Sequence, residues 1–199
     1  MKLVCRCPLD AFRPEAADAL AARGEVDVSA YTLTPHDGAD LAPPGAAAGA
    51  GAEALLLVRF ADPSHAQRLL DEVRASFRCT EAFPVREHLV HDDGAATTVA
   101  RIGFLRRSAA LTREQFQDHW TSVHAPLVMA HDPLFHRYVL NLTEAGCPWD
   151  GVVEQYFADP AAWAQHDRLI VAERAAVRED IAYLLDSMVQ HAGVPMARR

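Results

Sequence analysis

A chain of 199 residues, half of them hydrophobic and 23% charged, is long and apolar enough to bury a real core in one large or two small domains. Its formal charge of -8 argues against a nucleic-acid or anionic-membrane partner, either of which needs a basic patch. Lys2 is the only lysine and lies beside the N-terminus, which sets Schiff-base chemistry aside.

The first apolar run predicts a strand at about Lys2 to Cys7, with Cys5 and Cys7 on one side of it. With Cys79 and Cys147 they make no CxxC pair, so reduced thiols packed in a core are expected, and no metal site. The same run is too short for a secretory signal, and no stretch reaches the roughly 20 apolar residues of a membrane span, so a cytoplasmic address is expected. A helix at about Pro14 to Arg23 and a strand at about Val26 to Leu33 follow. His36 to Glu53, rich in Ala, Gly and Pro, reads as a flexible loop. Its Gly45, Gly49 and Gly51 lack the spacing of a nucleotide cradle. A strand ending at Phe60, a helix to about Phe77 and a strand near Phe83 to Val90 complete the order β-α-β-β-α-β.

The second half repeats that order: strand Val99 to Leu105, helix Arg113 to Ala130, strand Phe135 to Leu142, strand Val152 to Phe157, helical material from Pro160 to about Asp186, and a strand near Met188 to Val194. The first of these helices should stop at Asp132, because a residue before proline is pushed out of the α region. The halves also share F-A-D-P. In each copy an apolar strand ends at Phe60 or Phe157, and Asp62 or Asp159 caps a helix that begins at Pro63 or Pro160. Two tandem ferredoxin-like units are therefore expected, 1–94 and 95–199, divided at the polar turn His91 to Ala96. The fold class is α+β, with the units paired internally as a barrel-type pseudo-dimer.

Leu111 to Leu127, LTREQFQDHWTSVHAPL, is the most informative stretch. Thr112 and Gln115 have the spacing of a capping box, and Leu111 can staple onto Phe116. Phe116, Trp120, His124 and Leu127 recur at helical spacing, so one face carries two aromatics and an imidazole. His119 stands about 140° away from His124 on a 3.6-residue helix, so the two rings should not face one pocket squarely. His136 and Tyr138, two apart on the next strand, are expected to share a side.

The residues F-x-x-H-W-x-x-x-H-A-P-L at Phe116 to Leu127, with LFHRYVLN at Leu134 to Asn141 and DGVVEQYFADPAAW at Asp150 to Trp163, resemble the EthD family over about residues 97 to 196. That resemblance implies a unit of the dimeric α/β barrel superfamily, whose members include oxygenases, decarboxylases, cyclases, dehydratases and non-catalytic proteins. His124 is the first candidate acid or base, because an imidazole titrates near neutrality. His119 and Tyr138 are candidate assistants. Trp120, Phe104, Phe157 and His136 are candidate walls of an aromatic chamber for a small hydrophobic or polyketide-like molecule.

The expected chemistry is of the lyase, cyclase or dehydratase type with no tightly bound cofactor. The alternatives are a monooxygenase, cofactor-free or with haem on His124 or His119, and a non-catalytic ligand-binding barrel. The first helix, Phe12 to Arg23, has no histidine or tryptophan, so one site per chain is expected, in the second unit. The expected partner is a small molecule, beside the internal pseudo-dimer and a possible homodimer.

Overall fold

Alternation along β1 (Lys2–Pro8) sorts its side chains between two environments. Leu3, Cys5 and Cys7 face helices on the outside of the sheet, whereas Val4 faces inward, and all four are fully buried. The computed structural model describes residues 1–36, 53–131 and 134–196, with backbone alone at 170–173. The glycine-rich loop and the expected helix stop at Asp132 lie outside the described residues, apart from their flanks.

After β1 come α1 (Pro14–Ala21), β2 (Val26–His36), β3 (Glu53–Phe60), α2 (Ala66–Phe77) and β4 (Glu81–Asp92). The second half runs β5 (Val99–Arg107), α3 (Arg113–His119), a π-helical turn (Trp120–His124), α4 (Ala125–His131), β6 (Phe135–Thr143), β7 (Gly151–Phe157), α5 (Pro160–Glu173), α6 (Ala175–Leu184) and β8 (Leu185–Pro195). All neighbouring strands pair antiparallel in one closed barrel, ordered β1-β3-β2-β8-β5-β7-β6-β4. The halves meet at two seams, β2 with β8 and β4 with β6. Closure leaves no free sheet edge in the barrel.

Both F-A-D-P turns adopt the capped form. Asp62 accepts the Ser64 amide at 2.9 Å and Asp159 the Ala162 amide at 2.8 Å, each with proline at the next position. The Thr112–Gln115 capping box forms reciprocally at 3.1 and 2.8 Å.

Three apolar clusters hold the fold. One lies outside the first half, between α1, α2 and the sheet; a second lies outside the second half; the third fills the barrel. The interior also holds charge. Lys2, fully buried, contacts Glu154 at 2.5 Å and Glu87 at 2.6 Å, and Asn141 and Tyr156 donate to Glu154 at 2.7 and 2.5 Å. Burial pushes the Glu154 carboxyl up, but Lys2 and Arg59 more than offset this and hold it below its ordinary range. The lone lysine is thus a buried counter-ion that faces the interior by strand alternation.

Candidate functional site

The candidate site lies outside the barrel, between the outer face of β5, β6, β7 and β8 and the helices that cover it. A cavity of about 80 Å³ there is walled by Leu105, Val153 and Met188 of the sheet, Trp120 and Val128 of the first helical segment, and Val177, Ile181 and Leu184 of α6. His124, Tyr138, Gln155, Arg101 and Arg174 bring polar groups to this mostly apolar space.

Winding of the helix decides which groups meet. The Ala125 amide donates to the Trp120 carbonyl, a bond spanning five residues, and Pro126, next in sequence, has no amide hydrogen for an ordinary four-residue bond. Thr121 donates its hydroxyl to the Gln117 carbonyl at 2.8 Å, which occupies an acceptor in the rewound segment. A turn bonded five residues apart brings residues five apart into line, and His119 and His124 are five apart. Both rings reach one carboxylate: His119 Nε2 lies 2.7 Å from Asp180 Oδ1, and His124 Nδ1 lies 2.7 Å from Asp180 Oδ2. The expected 140° separation fails because the helix is not uniformly α. His119 still stays out of the cavity lining, and its ring packs on Tyr183 with centroids 4.9 Å apart.

His124 is 8% exposed. Burial pulls its pKa below the ordinary imidazole value, against the raising effect of Asp180 and with a small lowering from His119. With Nδ1 committed to Asp180, Nε2 is the nitrogen left for the cavity. Tyr138 is buried, which pushes its phenol pKa up. The Trp120 indole packs on the sheet at Gly151, where an added Cβ would come within 2.4 Å of it. Glycine there is what allows this approach.

Three expected wall residues stand elsewhere. Phe104 faces the barrel interior, against Trp149 at 5.5 Å and under the Arg6 guanidinium at 4.7 Å, because strand alternation sends Arg101 and Leu105 outward and Phe104 in. Phe157 faces outward but is stacked on Trp163 of α5, centroids 6.0 Å apart, and does not line the cavity. His136 sits in a β-bulge: the β6–β7 register shifts between Phe135 and Arg137. The extra residue breaks the two-residue period, so His136 turns to Asp93 at 2.8 Å while Tyr138 faces the helices. The structure therefore brings His124, Trp120 and Tyr138 together at the cavity, with His119 behind Asp180.

Sequence reasoning missed Asp180, Arg174, Arg101 and Gln155. Asp180 is one carboxylate within an ordinary charged helix, and no spacing ties it to His124. Arg174, only 5% exposed, stands at the break between α5 and α6, with φ -116° and ψ 54°. A buried arginine in helical material is a signal, but one visible only once burial is known.

Both histidines, Asp180 and most of the cavity wall fall within one stretch of chain. Residues 108–186 match the EthD domain. The domain match spans the π turn, α6 and the strands between, and omits β5 and all but the first two residues of β8. No curated protein matches the chain by sequence.

Solved structures share the fold over almost the whole chain. An anthrone oxidase-like protein aligns at 11% identity and TM-score 0.57, over 100% of this chain and 92% of its own. A haem-binding protein from Thermus thermophilus aligns at 12% and 0.55, over 99% and 91%. A mutant chlorite dismutase from Candidatus Nitrospira defluvii aligns at 10% and 0.59, over 97% and 89%. At these identities the likeness shows the fold alone, an α+β fold with a closed eight-strand barrel. Among the described residues, no helix is long and apolar enough to cross a membrane.

The expectation that this site works with no cofactor is overturned by the haem-binding neighbour, which shows that the fold carries a cofactor in a relative. Haem needs an axial donor and space. The donor chemistry is present: an imidazole whose second nitrogen is held by a carboxylate is oriented for ligation. The space is not, since about 80 Å³ falls several-fold below the roughly 300–1,000 Å³ of sites that enclose a drug-sized ligand. The residues as arranged do not fit a tetrapyrrole.

Proposed function

We propose that His124 and Asp180 form an acid/base pair acting on a small, mostly apolar molecule that carries an enolisable carbonyl or a phenol. One observation carries the reading: a buried imidazole, held through Nδ1 by a carboxylate, in the wall of an apolar cavity. Asp180 fixes the tautomer with the proton on Nδ1, so Nε2 is a lone-pair acceptor, and burial keeps the ring neutral until it takes a proton.

Nε2 removes a proton α to the carbonyl. The C–H electron pair becomes the enolate, and the new imidazolium is stabilised by Asp180. Tyr138, kept protonated by burial, supplies an O–H to the developing oxyanion, and the cationic side chains of Arg101 and Arg174 favour negative charge in the same space. Return of the proton to another atom, or loss of a leaving group, completes a reaction of the lyase or cyclase type. The size of the cavity limits what enters to a single-ring or short acyl unit. Residues 1–94 and 95–199 read as two ferredoxin-like units joined at the seams, supported by the repeated strand order and the paired F-A-D-P turns.

The reading is tested by solvent deuterium exchange into small 1,3-diketones and phenols, followed by proton NMR. Wild-type protein should accelerate exchange, and His124→Gln should lower the rate about 10²- to 10⁴-fold with its unfolding midpoint retained. Equal rates in the two proteins, with ligand affinity unchanged, would leave a binding barrel in place of an enzyme. A haem absorbance band that forms with added hemin and depends on His124 would assign the imidazole to axial ligation instead.

A further inference from the structure

Outside the site, the fold brings together thiols that lie far apart in sequence. Cys5 on β1 points out of the barrel and is fully buried under α2. Cys79 lies in the turn between α2 and β4, just after Arg78, which closes the helix in the left-handed region at φ 46°. Backbone pairing fixes that turn against β1, because the Thr80 amide donates to the Arg6 carbonyl at 2.8 Å and Cys5 is registered with Ala82.

Cys79 packs on the buried cluster that holds Cys5, and its Sγ donates to the Val73 carbonyl of α2 at 3.6 Å. The surroundings of the two thiols differ. Cys79 is partly exposed, and Arg74, anchored by a 2.9 Å bond to the Ala82 carbonyl, places its charge nearby. Contact with Cys5 and the Arg74 charge pull the Cys79 thiol below its ordinary value, whereas that contact and burial push Cys5 well up. Cys7, on the same face, leans to the other side of β1, donating to the Ala54 carbonyl of β3 at 3.7 Å, and burial pushes it up to about 12. One partly exposed thiol beside an arginine and one buried thiol packed in the same cluster make an attacking and a resolving pair.

We propose that Cys5 and Cys79 are a peroxide-oxidised thiol pair that closes to a disulfide across β1 and the α2–β4 turn. The Cys79 thiolate attacks one peroxide oxygen: an S–O bond forms, the O–O bond breaks, and the departing hydroxide takes up a proton to leave as water. The product is a sulfenic acid at Cys79. Cys5 then loses its proton as its sulfur attacks Cys79; the S–S bond forms, the S–O bond breaks, and a second water leaves. Two thiols are oxidised and one peroxide is reduced.

The test uses full-length native protein treated with hydrogen peroxide, then alkylated and digested with trypsin without reduction. Cleavage after Arg6 puts Cys5 and Cys7 on different peptides. A Cys5–Cys79 linked peptide is expected in wild type and in Cys7→Ser, reversed by dithiothreitol, with Cys147 alkylated in both. Cys79→Ser should abolish the link, and Cys5→Ser should leave Cys79 as sulfinic acid. A link through Cys7, a sulfinic Cys79 without a link in wild type, or no oxidation at Cys79 would each overturn the proposal.

Discussion

The helix layers over the two halves of the barrel follow one element order and do different things with it. Over the first half, α1 is eight residues of regular helix, and its Leu20 joins Leu69, Leu70, Val73 and Phe77 of α2 on Leu3, Leu56 and Val58 of the sheet. Over the second, the equivalent helix is rewound at Trp120–His124 and its partner is broken at Arg174. Each irregularity delivers a polar group to the space beneath, His124 from the rewound turn and Arg174 from the break. A regular helix pair on a sheet yields core; two departures from regularity yield a cavity with chemistry in its wall.

The largest effect that would sharpen this contrast is on stability. Trp120→Ala should cost about 3–5 kcal/mol in urea unfolding, and Leu20→Ala about 2–5 kcal/mol, since both remove buried volume. They should part on addition of benzene. The space opened at Trp120 joins an existing apolar cavity, so benzene should recover part of the loss there and none at Leu20. Rescue at both positions, or at neither, would remove the distinction between the layers.

Both layers rest on one interior, and acid should attack it at His191 on β8, beside the seam with β2. Burial, then the Arg6 charge, lower this imidazole to about 4, against a weaker pull from Glu53 at 3.9 Å. A base whose pKa is depressed on folding binds fewer protons folded than unfolded. Its contribution is therefore complete above pH 6.5 and is lost as pH falls from 6.5 to about 4, on the order of 3 kcal/mol in all. His191→Gln should flatten that limb of the stability profile. A wild-type profile already flat between these pH values would show that His191 protonates in place without cost.

Much of this was legible in the sequence. Strand alternation placed Cys5 beside Cys7, and Phe104 opposite Leu105. The Thr112–Gln115 box marked the helix start, and the paired Asp-Pro turns marked two more. These are local signals, written in neighbouring residues. What the sequence hid was non-local or irregular. Asp180 meets His124 only because α6 packs on the π turn, and no periodicity links them. The bulge at His136 leaves no composition signal, yet it undoes the two-residue period that paired His136 with Tyr138. Phe157 was expected in the chamber wall, but it stacks on Trp163 of α5 and does not line the cavity.

The smallest effect asked of the molecule concerns the origin of the rewound turn. Pro126 is the one feature of the stretch that forbids an ordinary bond back to Ser122, and Pro126→Ala returns that donor. Stability should move by only about 1 kcal/mol, because a regained hydrogen bond offsets the freedom returned to the unfolded chain. The informative readout is the pair of imidazoles. If proline imposes the turn, the variant helix winds at 3.6 residues, His119 rotates away, and nitrogen-15 NMR shows Asp180 bonded to His124 alone. If both rings keep their bond to Asp180, the turn is held instead by Trp120 seated on Gly151, and the sheet, through a missing side chain, sets the geometry of the site.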